Sequence, residues 1–438
     1  MELRELMKEA GLVGAGGAGF PSYAKLNEGA KTLVINGSEC EPLLYTDYAI
    51  LERELDTVLT GIKTVLDGTG IKNALLCVKP HTAKSLSLSD GESLGGGTRV
   101  KILPDSYPIG DEISLIFEAI GKVVRPGALP ISVGAIVYNV ETMYNLGRYV
   151  LYSEPVFMKW LTVGGDVKSP CVIKVPVGTR VSDLFKRLGI TVDGEHTVID
   201  GGPSMGKIIN PATATVKKTT SGLLVLPKNI QASEAKLINE KLSVARAETA
   251  CCQCTRCTDM CPRHLLGYPL EPHKMVRTAM GAAKAMPEMV INATLCCGCG
   301  ICESLACSQG ISPKAVINNY KELLSQNKMR YSTNTDVDVR AEREYRMIPT
   351  AKWKSALGIA KFDTPPVILG EISDFDRVEI PLSAHIGAPS VPTVKNGATV
   401  RTGEKIADAS SGLSVPQHAS VTGHVSVLSD KIIICKVK

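Results

Sequence analysis

No window of this 438-residue chain approaches the ~18–20 uncharged apolar residues of a membrane-spanning helix, so no span is expected. Nor is there a run of Lys and Arg. The 49 basic and 44 acidic residues leave a net charge of only +5, a mildly basic solvated surface and not the footprint of a nucleic-acid binder. The opening MELRELMKEAGLVG reads as an amphipathic helix without an apolar core, so a secretory signal is not expected and the chain is read as cytoplasmic. Cysteine, by contrast, is plentiful. Most of the 14 lie in two short runs, which in a reducing compartment points to metal or redox chemistry and away from a disulfide framework.

The length suggests about two to four domains. TLVING (32–37), NALLCVK (73–79), RVKIL (99–103) and GAIVYNV (134–140) read as buried strands. LERELDTVLTGIKTVL and DEISLIFEAIGKVV have helical periodicity between them, so residues up to about 158 predict an α/β layer with a largely parallel sheet. Residues 85–98 read as a polar, glycine-rich loop. From 159 to 230 short strands surround one helix; 231–330 is mostly helical and holds both cysteine runs; 331–365 is a charged bridge. From 366 to 438, β runs broken by Gly and Pro predict a compact β domain.

The first cysteine run is Cys251-x2-Cys254-x2-Cys257-x3-Cys261-Pro262, the spacing of bacterial-type [4Fe–4S] sites, in which the fourth Cys ligates the other cluster of a pair. The second run, Cys296-x2-Cys299-x2-Cys302-x4-Cys307, is one residue longer before its last member. Two such runs predict a two-cluster ferredoxin-like module, with Cys251, Cys254, Cys257 and Cys307 on one cluster and Cys296, Cys299, Cys302 and Cys261 on the other. Two zinc sites are the competing reading; a single one would leave four matched cysteines idle. Cys252 and Cys297 are left over, as packed neighbours or as replacements for an adjacent ligand. Of the scattered Cys40, Cys77, Cys171 and Cys435, most read as core residues, while Cys40 falls inside a candidate site. His264 and His273, near the first run, read as capping or supporting residues.

Clusters move single electrons, so something else must feed them. GLVGAGGAGFP (11–21) carries Gly14, Gly16, Gly17 and Gly19, but a helix precedes it and Pro21 follows, unlike a Rossmann turn, and no Gly-Lys-Ser/Thr closes it as a P-loop. The glycines alone would also fit a plain turn. The next strand, however, ends in NGSECEP, putting Asn36, Glu39 and Glu41 at a carboxyl end, where open α/β sheets bind ligands.

The elements GAGGAGFPSYAK, NGSECEP, YPIGDE and YNVET resemble the flavin- and NADH-binding subunit of respiratory complex I and its relatives. These include the C component of the Rnf complex and the cobalamin reductases of propanediol-utilisation microcompartments. The resemblance implies that Gly14, Gly16, Gly17 and Gly19 form the FMN-phosphate and NADH loop. It puts Phe20 against the nucleotide, Lys25 in the same site, Asn36 on the flavin ring, and Glu39 and Glu41 by the nicotinamide. Tyr107, Gly110, Asp111 and Glu112 match a Tyr-x-x-Gly-Glu-Glu element, and Asn139 and Thr142 a stretch near the FMN phosphate. Ser38, Tyr138 and Asp111 depart from the complex I pattern, and no aromatic follows Lys25.

The implied architecture is a multidomain α/β chain: a complex-I-type FMN/NADH domain (1–158), a β-grasp, SLBB-like module (159–230), a helical two-[4Fe–4S] ferredoxin-like domain (231–330), a bridge (331–365) and a barrel-sandwich hybrid (366–438). The last resembles lipoyl and biotinyl carriers, yet no lysine stands between Ile406 and Lys431 to be modified, so packing or docking is its expected role. Its C-terminal position matches the cobalamin reductases and not the Rnf component. The resemblance therefore implies an NADH-dependent reductase that passes electrons through FMN and two [4Fe–4S] clusters to a corrinoid, taking cob(III)alamin or cob(II)alamin to cob(I)alamin. An adenosyltransferase or a microcompartment shell protein is the implied partner. The alternative is an Rnf-like or proline-reductase-linked electron-transfer protein serving a partner reductase, ferredoxin or membrane complex, and a third reading is an adapter with relict sites. No Asp-x-His-x-x-Gly corrinoid motif is present, and no encapsulation segment precedes the glycine loop.

Overall fold

The computed structural model describes residues 2–281 and 287–437. Its first sheet has five strands in the order Ser93–Gly95, Thr98–Ile102, Asn73–Val78, Thr32–Gly37 and Ala135–Asn139. The last four run parallel, and their near-continuous Val, Ile and Leu content fits strands covered on both faces. Helices Thr46–Thr69 and Val140–Tyr152 cover one face and Glu112–Ile120 the other. The first two cross at Gly61 and Gly147, where a Cβ would lie 2.0 Å from the carbonyl oxygens of Met143 and Thr57. Asn36 and Asn139 are paired in register at the ends of neighbouring strands, so both reach the edge that binds ligands in such sheets. The stretch expected to be a loop at 85–98 contains an antiparallel edge strand, Ser93–Gly95, turned by Gly95, Gly96 and Gly97 at positive φ.

The second sheet runs Lys207–Ile209, His196–Asp200, Gly222–Pro227, Met158–Gly165, Cys171–Pro176 and Val367–Glu371. That last strand, counted with the C-terminal module in the sequence, pairs in parallel with Cys171–Pro176 and covers what would be an open edge. The C-terminal region packs a four-stranded against a three-stranded sheet around Val378, Ile406, Val425, Ile432 and Ile434.

Between them lie helices Glu240–Ala250, Pro272–Ala279 and Pro313–Gln326, joined by the turns that carry the cysteines. Cys302 opens a single π-turn, Cys302–Ala306, a deviation common at functional sites. The charged bridge is a packed element: Ile348–Pro349 pairs with Ser106–Tyr107, and the fully buried Trp353 stacks on Tyr107 at 4.8 Å. Among the described residues no helix is long and apolar enough to cross a membrane.

Candidate functional site

At the carboxyl edge of the first sheet lies a cavity of about 600 Å³, within the usual range for ligand pockets. Its wall includes Gly14, Gly16, Phe20, Lys25, Asn36, Glu39, Glu41, Gly110, Asp111, Glu112, Asn139 and Thr142. The glycine loop is closed by Gly14 N–H to the Phe20 carbonyl at 2.9 Å and Gly19 N–H to the Gly14 carbonyl at 3.0 Å. Its backbone runs so near Asn139 that a Cβ on Gly16 would be 3.2 Å from the amide nitrogen. Gly17 and Gly19 are not on the wall; they turn the loop at φ +101 and +64, with Gly19 backed by Thr219 and His385. Tyr107 is also off the wall, buried behind it.

Two buried lysines of the β-grasp region hold the loop's base. Lys159 Nζ donates to the Ala15 carbonyl at 3.1 Å and pairs with the equally buried Glu141. Lys218 Nζ donates to the Gly11 carbonyl at 3.0 Å and to that of Pro416 at 3.2 Å. Thr142 Oγ1 accepts from Ala15 N–H at 3.3 Å, and Asn139 Oδ1 caps the following helix through Glu141 N–H at 2.9 Å.

The acidic groups differ in environment. Glu39 sits at φ +42, and its carboxylate accepts from the N–H groups of Asp47 and Tyr48 at 3.2 and 3.1 Å, at the start of the long helix. Burial, reinforced by Asp47, pushes its carboxyl well above the usual range. Burial likewise lifts Asp47 to about 7, against the opposing hydrogen bond from Asn139. Glu41 is clamped instead, by Ser204 N–H at 2.7 Å and Tyr107 Oη at 3.0 Å. Tyr107 Oη also reaches the Cys299 carbonyl at 2.8 Å. Gly202 makes room for this clamp, since a Cβ there would lie 2.1 Å from Glu41 Oε2. Lys25 Nζ is engaged by Glu112 at 2.8 Å, and Asn36 Nδ2 by the Gly110 carbonyl at 3.0 Å.

The cysteines gather around two further cavities. Cys251, Cys254, Cys257 and Cys307 line one, with Cys252 and His273; Cys261, Cys296, Cys299 and Cys302 line the other, with Cys297. The last member of each run thus crosses to the other run's cavity. All fourteen thiols are free of disulfides, and burial drives Cys257 up to about 12 and Cys302 well above its ordinary value, so thiolates there call for a cationic partner. Among the described residues no three His, Cys, Asp or Glu side chains converge as a single ion requires.

Cys297 and Cys299 line the sheet-edge cavity as well as the second cysteine cavity, so one stretch of backbone separates the two. Ser22 Oγ, on the same sheet-edge wall, is buried without a hydrogen-bond partner among the described residues. A fourth cavity, about 810 Å³ and bordered by Tyr45, Tyr48, Lys79 and His81, shares Glu39, Glu41 and Leu44 with the first.

Sequence reasoning passed over Asp47, Lys159 and the GGPSMG turn that clamps Glu41. Asp47 falls in the first turn of the observed helix Thr46–Thr69, ahead of the helical stretch that the sequence showed from Leu51 on. Lys159 and Ser204 owe their places to contacts distant in sequence.

Four family models match the chain in order: the Nuo51 FMN-binding domain over residues 7–148, the SLBB domain over 161–207, a 4Fe-4S dicluster domain over 250–312, and the RnfC barrel sandwich hybrid domain over 361–436. Cobalamin reductase PduS of Salmonella typhimurium is 36% identical over 434 residues, 99% of this chain and 96% of that one. Its namesake from Citrobacter freundii is 36% identical over 98% of this chain and 95% of its own length. The C component of the ion-translocating oxidoreductase complex of Rhodobacter capsulatus is 31% identical over 65% of this chain and 54% of its own. FMN and two [4Fe–4S] clusters are therefore this chain's cofactors.

Proposed function

Because the chain belongs to the cobalamin reductase family, we propose that it draws on NADH to reduce a corrinoid, from cob(III)alamin or cob(II)alamin to cob(I)alamin. That it is an electron-transferring flavin and iron–sulfur oxidoreductase follows from the domains it carries. The observation that supports the relay is the shared wall: Cys297 and Cys299 border both the flavin-edge cavity and the second cysteine cavity. When bound, FMN supplies the conversion between a hydride pair and single electrons, and the clusters supply one-electron conduction.

The chain's own residues position these groups. In this proposal the loop through Gly14, Gly16, Gly17 and Gly19, whose Gly14 and Gly19 N–H groups are spent on closing the loop, would present its remaining N–H groups, with Asn139 and Thr142 at a helix N-terminus, to the phosphate of FMN. Asn36 and Gly110 hold the ring edge; Phe20 packs on the nucleotide; Lys25, Asp111 and Glu112 complete the rim. Glu41, fixed by its clamp, orients the nicotinamide, while Tyr107 acts through Glu41 as a positioning residue. Asp47, lifted by burial to about 7, keeps a proton within reach of the cavity wall, beside Glu39, whose carboxyl burial also pushes upward. Cys251, Cys254, Cys257 and Cys307 would hold one cluster, and Cys261, Cys296, Cys299 and Cys302 the other.

The test is anaerobic. The isolated chain, loaded with iron and flavin, should oxidise NADH with an artificial one-electron acceptor and then form cob(I)alamin when cob(II)alamin replaces that acceptor. A chain inert to NADH whose clusters are reduced by ferredoxin would instead be an electron-transfer protein without a hydride donor of its own. The same proposal sets the protein in the cytoplasm, within a microcompartment, beside an adenosyltransferase or a shell protein; co-purification from the native host tests that association.

A further inference from the structure

We infer that Arg263 and Lys314 raise the reduction potential of the cluster held by Cys261, Cys296, Cys299 and Cys302, and of that cluster alone. This rests on the reading that the eight cysteines hold the two clusters. The two cysteine cavities are chemically unequal. The wall of the Cys261 cavity includes the side chains of Arg263 and Lys314, whereas among the described residues the wall of the Cys251 cavity includes no Lys, Arg, Asp or Glu. The ring nearest the latter, His273, is engaged at Nδ1 by the Thr258 hydroxyl at 2.6 Å.

Both cations are buried; the counter-charge of Arg263 belongs to the neighbouring cavity, while that of Lys314 sits beside Gly300 of the wall. Arg263 Nη2 donates to Asp111 Oδ1 at 2.7 Å, and each side chain is only 12% exposed. Asp111 caps the helix Glu112–Ile120 through Ser114 N–H and belongs to the flavin-edge cavity, not to the cysteine cavity. Arg263 Nε, in contrast, is buried without a partner among the described residues. An unpaired buried donor on a cation is unfavourable unless a ligand supplies the acceptor, and an anionic cluster is such an acceptor. Lys314 Nζ, on the wall itself, pairs with Glu303 Oε1 at 3.1 Å and donates to the Ser204 carbonyl at 3.0 Å; Glu303 Oε1 lies 3.1 Å from where a Cβ on Gly300 would stand. A third cation, Lys321, donates to the Cys296 carbonyl at 3.0 Å.

The electrostatic consequence follows directly. Reducing a thiolate-ligated cluster adds negative charge to a site that is already anionic and removed from water. Fixed cations at its wall favour the reduced form, and net charge and hydrogen bonds to sulfur are known determinants of cluster potential. The cations stand beside the cavity that borders the flavin edge. They would make that cluster the ready acceptor of the first electron.

The test is an anaerobic redox titration followed by electron paramagnetic resonance. R263Q and K314Q should each lower the reduced-to-oxidised ratio of one cluster about tenfold at fixed applied potential, a shift of about 59 mV for a one-electron couple. The affected signal should be the one retained in C254S, and the other should titrate as in the wild type. R263K, which keeps the charge, should stay within about threefold, and D111N should move the same signal the opposite way. If R263Q loses iron, K314Q, on a different element, carries the test. Two cluster signals that do not move, or that move together, overturn the inference. A wild type without two cube-type signals overturns the ligand reading beneath it.

Discussion

At the scale of single residues, the most consequential contact is an ion pair removed from water. Lys159 and Glu141 are 1% and 2% exposed, and Lys159 also holds the Ala15 carbonyl at the base of the glycine loop. Lys159→Met should leave Glu141 buried and unpaired, destabilising the fold by about 3–5 kcal/mol and loosening FMN. Denaturant unfolding and flavin fluorescence measure the two effects, and Glu141→Gln added to Lys159→Met should restore part of the stability. At the cysteines, Cys302→Ser should remove about half of the iron while leaving FMN bound, by metal and flavin quantitation. Neither cysteine run needed a structure to be read, because ligand spacing is a local property. Lys159 did: a lysine inside an apolar strand reads as an exposed position until the facing Glu141 and the loop carbonyl are seen.

Among the elements, the crossing of Thr46–Thr69 with Val140–Tyr152 decides how the strand ends are presented. Gly61 and Gly147 allow backbone contact there, each with room for no Cβ. Gly61→Ala or Gly147→Ala should therefore cost about 1–3 kcal/mol or more by overpacking and lower the thermal midpoint, even though alanine is the better helix former. Thermal unfolding with FMN release as a second readout checks this. Helical periodicity made both helices legible, but a glycine within them reads only as a weak point, since its reason lies on the other helix. Strand pairing has the same character. Residues 367–371 alternate in burial like any edge strand, and nothing in their composition says that Cys171–Pro176, nearly two hundred positions earlier, is their partner. The glycine loop was legible as a loop; the division between Gly14 and Gly16 on the wall and Gly17 and Gly19 off it was not.

Over the whole molecule, Lys218 ties three regions together: it belongs to the β-grasp region and donates to Gly11 of the flavin domain and Pro416 of the C-terminal sandwich. Burial lowers its ammonium to about 7, and it in turn helps to keep His418 neutral. A lysine depressed in the folded state binds fewer protons there than in the unfolded chain. Its contribution to stability is therefore complete above the ordinary lysine range near 10 and is lost as pH falls towards 7. Stability measured by denaturant should rise with pH across that window, and Lys218→Met should flatten the rise. The order of the modules was readable from sequence because each has its own pattern; the buried lysines that join them were not, since each satisfies carbonyls far away in the chain.

The relay from the flavin edge through the cysteine cavities is tested most directly by NADH-driven reduction of cob(II)alamin under anaerobic conditions, with the wild type beside Cys302→Ser. Formation of cob(I)alamin as NADH is consumed, reduced at least tenfold in Cys302→Ser while its flavin still oxidises NADH with an artificial acceptor, is the predicted result. Corrinoid reduction at the wild-type rate in Cys302→Ser, or no NADH consumption by the fully loaded wild type, would contradict it.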